Sequence, residues 1–277
     1  MLNFIVLKCS GIIVENILKT LWLTDLHVNK LNKKQYQQLL SRITTSGAEA
    51  IWLTGDIGDP PFNWLFLEDL FCGFKRTVYF LLGNHDYYHQ PIDAIRNRAK
   101  MLGQVYPNAY YLTVESGFSL GHHFFVGVGG WANTGGHTLD EKTWDSESIE
   151  DFKGLNTKQL HKKLNQLAER DAYFLLEKCR SGIKKSTKQV SIFTHVPPTD
   201  AMYGKYPVRP LQEKRSVFYS YALSSALKQL LNTYPTIDFC VYSGHIHQSQ
   251  LYYIGERLTG YIAEAYHPSQ PLNWITI

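Results

Sequence analysis

A chain of 277 residues with 44% hydrophobic and 19% charged residues can build a large packed core, which excludes an intrinsically disordered protein. Its formal net charge of +4 suits anionic ligands but is too mild for a dedicated nucleic-acid binder. Four widely separated cysteines, Cys9, Cys72, Cys179 and Cys240, exclude a disulfide frame or zinc knuckle and read as buried, reduced thiols.

The first 18 residues are fairly apolar, but Lys8 and Glu15 interrupt them, and neither a basic leader nor a small-residue cleavage site flanks them. No stretch reaches the unbroken apolar length of a membrane span. A cytoplasmic protein without membrane association is the expectation.

Residues 17–23 form an apolar, strand-like run that ends at Thr24-Asp25-Leu26-His27. Tyr36, Leu39, Leu40 and Ile43 recur at helical spacing and predict an amphipathic helix over 33–46, closed by Gly47. Ala50-Ile51-Trp52-Leu53 is a second run and ends at Thr54-Gly55-Asp56. Pro60-Pro61 interrupt the chain before a helix over 63–72. The third run, Val78 to Leu82, stops at Gly83, with Asn84, His85 and Asp86 following at once and a helix near 91–103. On its own, Gly-Asn-His-Asp is also a good turn, since Gly, Asn and Asp are turn formers.

Tyr111–Val114 and His123–Val128 then read as paired antiparallel strands joined through Gly117 and Gly121. Residues 132–156 read as loop. Leu160, Leu164, Leu167, Leu175 and Leu176 mark a long helix over about 157–181. The basic stretch Lys184 to Lys188 reads as a solvated connection. One domain over 1–277 is expected, with a loop-helix insertion at about 132–188. Val190–Phe193 is a strand ending at Thr194-His195. After a proline-rich loop to about 217 comes a helix over 219–232. The strand Ile237–Tyr242 ends at Ser243-Gly244-His245-Ile246-His247, and short strand-like pieces fill 250–277.

Five apolar runs thus end in groups able to bind a metal: Asp25 and His27, Asp56, Asn84 with His85, His195, and His245 with His247. Strands feeding one sheet edge gather such groups at their carboxyl ends. Clustered carboxylates and imidazoles are costly to desolvate unpaired, and divalent ions supply the missing partner. A mixed set of oxygen and imidazole donors favours transition metals. Roughly seven ligands exceed what one four-coordinate ion uses; two ions bridged by Asp56 would account for all of them.

In this order the blocks Asp25-Leu26-His27, Gly55-Asp56-Ile57-Gly58-Asp59, Gly83-Asn84-His85-Asp86, His195 and Gly244-His245-Ile246-His247 resemble the calcineurin-like metallophosphoesterase superfamily. The resemblance covers residues 25 to 247, and the ordered set is far more specific than any one block. It implies an α/β (α+β) fold, a β-sandwich flanked by helices in four αββα layers. It implies one ion on Asp25, His27, Asp56 and His247 and another on Asp56, Asn84, His195 and His245, the two divalent ions being manganese, iron or zinc. It further implies attack on phosphorus by a metal-bridging hydroxide, with His85 protonating the leaving group and Asp86 orienting the His85 ring. Asp59 is a further candidate for supporting a ligand.

The wording departs from the protein Ser/Thr phosphatases of that superfamily, because Gly58, Pro60 and Pro61 replace their pattern and Asp86 stands where they carry Glu. A small phosphorylated or nucleotide-like substrate is expected, with a slight lean to phosphodiesters. A small-molecule phosphomonoesterase and a nuclease are the enzyme alternatives. Nucleic acid is not favoured, since Arg209, Lys214 and Arg215 are too small a basic cluster. A metal-binding interaction scaffold is the non-enzyme alternative. His89, His122, His123, His137, His161 and His267 read as surface or hydrogen-bonded residues, with His137 the best placed in a glycine-rich stretch. Tyr87 and Tyr88 read as packing or exposed residues rather than a platform for a substrate ring.

Overall fold

The computed structural model of the chain describes residues 4–5, 18–133, 144–198 and 218–276. His137, Cys9, the cluster of Arg209, Lys214 and Arg215, and part of the expected insertion lie outside them.

Two six-stranded sheets form the centre. One contains β1 (Phe4–Ile5), β2 (Lys19–Leu23), β3 (Ala50–Thr54), β4 (Thr77–Leu81), β5 (Ala109–Tyr111) and β12 (Asn273–Thr276), in the order β1-β12-β2-β3-β4-β5. The other contains β6 (Phe118–Leu120), β7 (His123–Gly127), β8 (Gln189–Phe193), β9 (Asp238–Ser243), β10 (Gln250–Ile254) and β11 (Leu258–Ile262), in the order β10-β11-β9-β8-β7-β6. The strands that feed the site, β2, β3 and β4, pair in parallel, with Leu23 opposite Leu53 and Leu53 opposite Phe80. Parallel strands need crossovers, which here are the helices α1 (Lys33–Thr44) and α2 (Phe62–Gly73). Asn32 opens α1 with a capping box completed by Gln35, and Asn156 with Gln159 does the same for the 26-residue helix α5 (Thr157–Gly182).

Side-chain alternation sorts the core into three layers. Leu21, Leu23, Ile51, Leu53, Val78 and Phe80 face one helix layer, made by α1, α2, α3 (Ile92–Val105) and the first half of α5. Trp22, Trp52 and Leu81 face the other way, onto Phe125, Phe193, Cys240 and Tyr242 of the second sheet. Trp52 stacks on Phe193 with ring centroids 4.0 Å apart and planes within 2°. The outer face of the second sheet packs on the second half of α5 and on α6 (Tyr221–Thr233). The result is the expected αββα sandwich, with α5 long enough to contribute to both helix layers.

Two local expectations change. Tyr111–Val114 does not pair with His123–Val128. β5 instead runs parallel to β4 in the first sheet, and β6 is the antiparallel partner of β7 across Gly121. The chain switches sheets between them, and Gly117, at φ 90°, brings its backbone close against Phe125 and Phe124. Residues 132–156 are not all loop: α4 (Trp144–Ser148) and a 3-10 turn over Glu150–Phe152 lie there, anchored by buried Ile149 and Phe152. Of the cysteines, Cys179 and Cys240 are buried as expected, whereas Cys72 is exposed.

Candidate metal centre

The carboxyl ends of β2, β3, β4, β8 and β9 meet at one edge of the sandwich, and the seven expected ligands come together there. Donor atoms of Asp25, His27, Asp56 and His247 all lie within 4.8 Å of one another, and so do those of Asp56, His195 and His245. His27 Nε2 and His247 Nε2 stand 3.1 Å apart, and His247 Nε2 lies 3.2 Å from Asp25 Oδ1. On the other side, Asn84 Oδ1 lies 3.1 Å from His195 Nε2 and 3.0 Å from His245 Nδ1. Asp56 joins the halves, with Oδ1 3.3 Å from His195 Nε2 and Oδ2 3.9 Å from His27 Nε2.

The backbone is strained to achieve this. Six non-glycine residues have positive φ among the described residues, and five of them are Asp25 (50°), His27 (42°), Asp56 (49°), His245 (71°) and His247 (57°). Left-handed backbone costs energy for such side chains and persists where the surroundings impose it, commonly at functional sites. Two glycines make room for the approach. A Cβ at Gly83 would collide with the Asp56 carboxylate and fall 2.6 Å from His195 Nε2, and one at Gly244 would collide with Asp25 and Thr24.

Two buried carboxylates this close need positive partners. Asp25 and Asp56 are 0% and 1% exposed. Burial disfavours the charged form of both, yet His247 and His195 hold Asp25 below, and His195 with His85 holds Asp56 well below, the usual carboxylate range. Burial also opposes charge on His195, but the Asp56 carboxylate prevails and pushes the imidazole up to about 10. His195 donates its Nδ1 proton to the Thr54 carbonyl at 2.9 Å, so Nε2 is the atom turned to the cluster. A ring fixed this way by its other nitrogen is the usual arrangement of a metal-binding histidine. His27, lowered to about 4 by burial, is kept neutral, the state that a metal requires. Carboxylate and amide oxygens with imidazole nitrogens, converging in two groups that share one carboxylate, fit two divalent ions.

His85 stands beside this cluster, its Nε2 4.0 Å from Asp56 Oδ2 and its Nδ1 3.0 Å from Asp59 Oδ1. Asp86 does not orient it, contrary to expectation. The Asp86 carboxylate is fully buried and accepts backbone N–H groups of Gly83 at 2.8 Å, Gly58 at 3.3 Å and Ile57 at 3.4 Å, and Asn63 Nδ2 at 3.4 Å. It ties the loops after β3 and β4 together, and burial pushes its pKa up to about 7. Burial disfavours charge on His85 as well, but the hydrogen bond to Asp59 and the carboxylates of Asp56 and Asp145 raise its pKa above 6.5.

Asp145 escaped sequence reading. Its Oδ1 accepts from Asn84 Nδ2 at 2.9 Å and from the Tyr88 hydroxyl at 2.7 Å, and Tyr88 in turn lies 3.4 Å from His85 Nε2. It sits in a polar stretch without periodicity, where no motif or spacing singles out one acid. Tyr87 and Tyr88 are buried at 3% and 2% exposure, so neither is an open platform for a substrate ring. His123 is half-buried and lies 2.9 Å from Ser191 Oγ, in keeping with a structural role.

A family model described as calcineurin-like phosphoesterase matches residues 18–249, most of the chain. No curated protein matches. A dimetal phosphatase from Danio rerio is similar in structure, with a TM-score of 0.58 and 13% identity over 94% of this chain and 91% of that one. A phosphopantetheinyl hydrolase from Mycobacterium tuberculosis is similar at a TM-score of 0.54 and 13% identity, over 93% of this chain and 95% of that one. A Thermus thermophilus protein follows at 0.52 and 15%, over 90% and 91% of the two chains. At these identities the likeness is one of fold.

Proposed function

The chain belongs to the calcineurin-like phosphoesterase family and is a hydrolase of phosphoester bonds, and from that premise we propose a two-metal hydrolase of small phosphorylated or nucleotide-like substrates, with a lean to phosphodiesters. The observation that carries the reading is that Asp56 belongs to both donor clusters, Asp25-His27-Asp56-His247 and Asp56-His195-His245. Asn84 Oδ1 completes the latter. Divalent manganese, iron or zinc held there supplies Lewis acidity to the phosphoryl oxygens and eases deprotonation of the attacking water.

The remaining chemistry falls to residues of this chain. The His85 imidazole is held by Asp59 through Nδ1, which leaves Nε2 facing the cluster. Its raised pKa keeps a proton available near neutrality, and Nε2 delivers that proton to the leaving oxygen. After transfer the neutral ring keeps its Nδ1 proton on Asp59. Asp86 contributes by fixing Ile57, Gly58 and Gly83, and hence the turns carrying Asp56 and Asn84, rather than by touching the His85 ring.

Residues 1–277 are read as one domain with an insertion at about 132–188, supported by the packing of α5 on both helix layers. A cytoplasmic location is supported by the wide spacing of Cys9, Cys72, Cys179 and Cys240 along the chain, which suits reduced thiols. No helix among the described residues is long and apolar enough to cross a membrane.

The test is turnover of p-nitrophenyl phosphate and bis(p-nitrophenyl) phosphate by chelated protein reloaded with Mn²⁺. The reading predicts hydrolysis of both, abolished in Asp56→Asn. Faster turnover of the monoester would reverse the phosphodiester lean, and length-dependent cleavage of single-stranded DNA would favour the nuclease. Loaded protein inert towards all three would sink the enzymatic reading of this site.

A further inference from the structure

We propose that Asp145 is a positioning residue: it locks the Asn84 side-chain amide with its oxygen turned to the second donor cluster, and thereby sets occupancy of that metal position. The inference rests on the two-metal reading of the site.

An asparagine amide presents an oxygen on one side and an NH₂ on the other, and only the oxygen can bind a cation. Rotation of the amide by half a turn would aim the NH₂ at the cation position and at His195 and His245. In the structure Asn84 Oδ1 lies between those two rings, at 3.1 and 3.0 Å, and Nδ2 donates to Asp145 Oδ1 at 2.9 Å. A carboxylate accepts and does not donate, so its presence decides which amide atom faces it. Hydrogen bonds to a carboxylate are about twice as strong as neutral ones. The flipped rotamer therefore loses a strong bond and sets oxygen against oxygen.

Asp145 is itself held in place. Its segment is stitched to the chain following the Asn84 turn by an antiparallel bridge between Tyr88 and Ile149. The His89 N–H donates to the Ser148 carbonyl at 2.7 Å, and the Ile92 N–H to Asp151 Oδ2 at 2.8 Å. Ile149 and Phe152 are buried at 0% and 1% exposure. The same Asp145 oxygen also holds the Tyr88 hydroxyl, which stands next to His85 Nε2. One carboxylate from outside the motif blocks thus touches a proposed metal ligand and a neighbour of the proposed acid.

The experiment is calorimetric titration of the full, chelated chain with Mn²⁺, in the wild type and in Asp145→Ala, Asp145→Asn and Tyr88→Phe, with a thermal melt of each. Two ions are expected to bind the wild type. Asp145→Ala is expected to weaken one of them about 10–100-fold, the range seen when a ligand's hydrogen-bond partner is lost, and to leave the other unchanged. Asp145→Asn keeps a carbonyl oxygen within reach of Nδ2 and recovers most of that loss, while Tyr88→Phe retains both affinities. Should Asp145→Ala not fold, Asp145→Ser, too short to reach Nδ2, makes the same test. Wild-type affinity for both ions in the alanine or serine variant would overturn the proposal. So would equal weakening in Asp145→Asn and Asp145→Ala that tracks a lowered melting temperature, which is the mark of a purely structural role. A wild-type chain that binds no Mn²⁺ would instead overturn the metal reading itself.

Discussion

His85 Nδ1 stands 3.0 Å from Asp59 Oδ1, whereas Asp86, next to His85 in sequence, spends its carboxylate on the backbone of Ile57, Gly58 and Gly83. The proposed leaving-group acid is therefore held by an acid 26 residues upstream. Three variants separate these roles. His85→Ala should retain both metal ions and lose about 10²–10⁴-fold in kcat with a poor leaving group such as an alkyl phosphate, with a smaller loss for p-nitrophenol. Asp59→Asn should show the same leaving-group dependence at about 10–100-fold. Asp86→Ala should lower stability by about 1–3 kcal/mol, since it strands buried backbone donors, without that dependence. Rate measurements over a leaving-group series decide the matter: equal losses for good and poor leaving groups in His85→Ala would remove its role as acid.

His195 in the metal-free protein carries a pKa pushed up to about 10, and Nε2 cannot hold a proton and a cation together. Occupation of the second position at pH 7 to 8 should accordingly release about one proton per ion bound. Affinity should rise with pH up to that value. Titration with Mn²⁺ in buffers of different ionisation enthalpy reads the proton count directly, and zero release would contradict Nε2 as a ligand.

The clustering of the candidate ligands was legible because each stands at the end of an apolar run, and the runs proved to be strands with a common edge. The helices over 33–44 and 157–182 were legible from the helical spacing of their apolar residues, while their capping boxes at Asn32 and Asn156 went unread. The role of Asp86 was misread because adjacency in sequence was taken for contact; consecutive residues on a helical turn point in different directions. The pairing of β5 was misread for a related reason. Sequential strands usually pair, and nothing in Leu112 to Gly117 announces that the chain crosses to the other sheet. Asp145 was invisible because its function depends on a docked segment, and docking leaves no periodic trace.

His123 offers a test of the fold away from the metal centre. Burial lowers its pKa to about 4, and the ring stacks on Phe125 at 4.0 Å. A folded-state pKa below the unfolded value of 6.5 means that the unfolded chain binds the extra proton between pH 6.5 and 4. The stability tied to neutral His123 is thus complete above pH 6.5 and is lost as pH falls towards 4, at no more than about 1.4 kcal/mol per unit. Thermal melts from pH 7 to 4.5 should show a shallower acid loss in His123→Gln than in the wild type. Parallel curves would place the acid sensitivity elsewhere.

Asp56 is shared by both donor clusters, and the proposed two-ion hydrolytic site depends on that one carboxylate. The most direct measurement follows p-nitrophenyl phosphate turnover as Mn²⁺ is added stepwise to chelated wild-type protein, with bound metal per chain determined at each point. Turnover should rise with occupancy of the second ion and saturate at two per chain, and Asp56→Asn should bind fewer ions and stay inactive. Full turnover at one ion per chain, or none at two, would contradict a two-ion site built on Asp56.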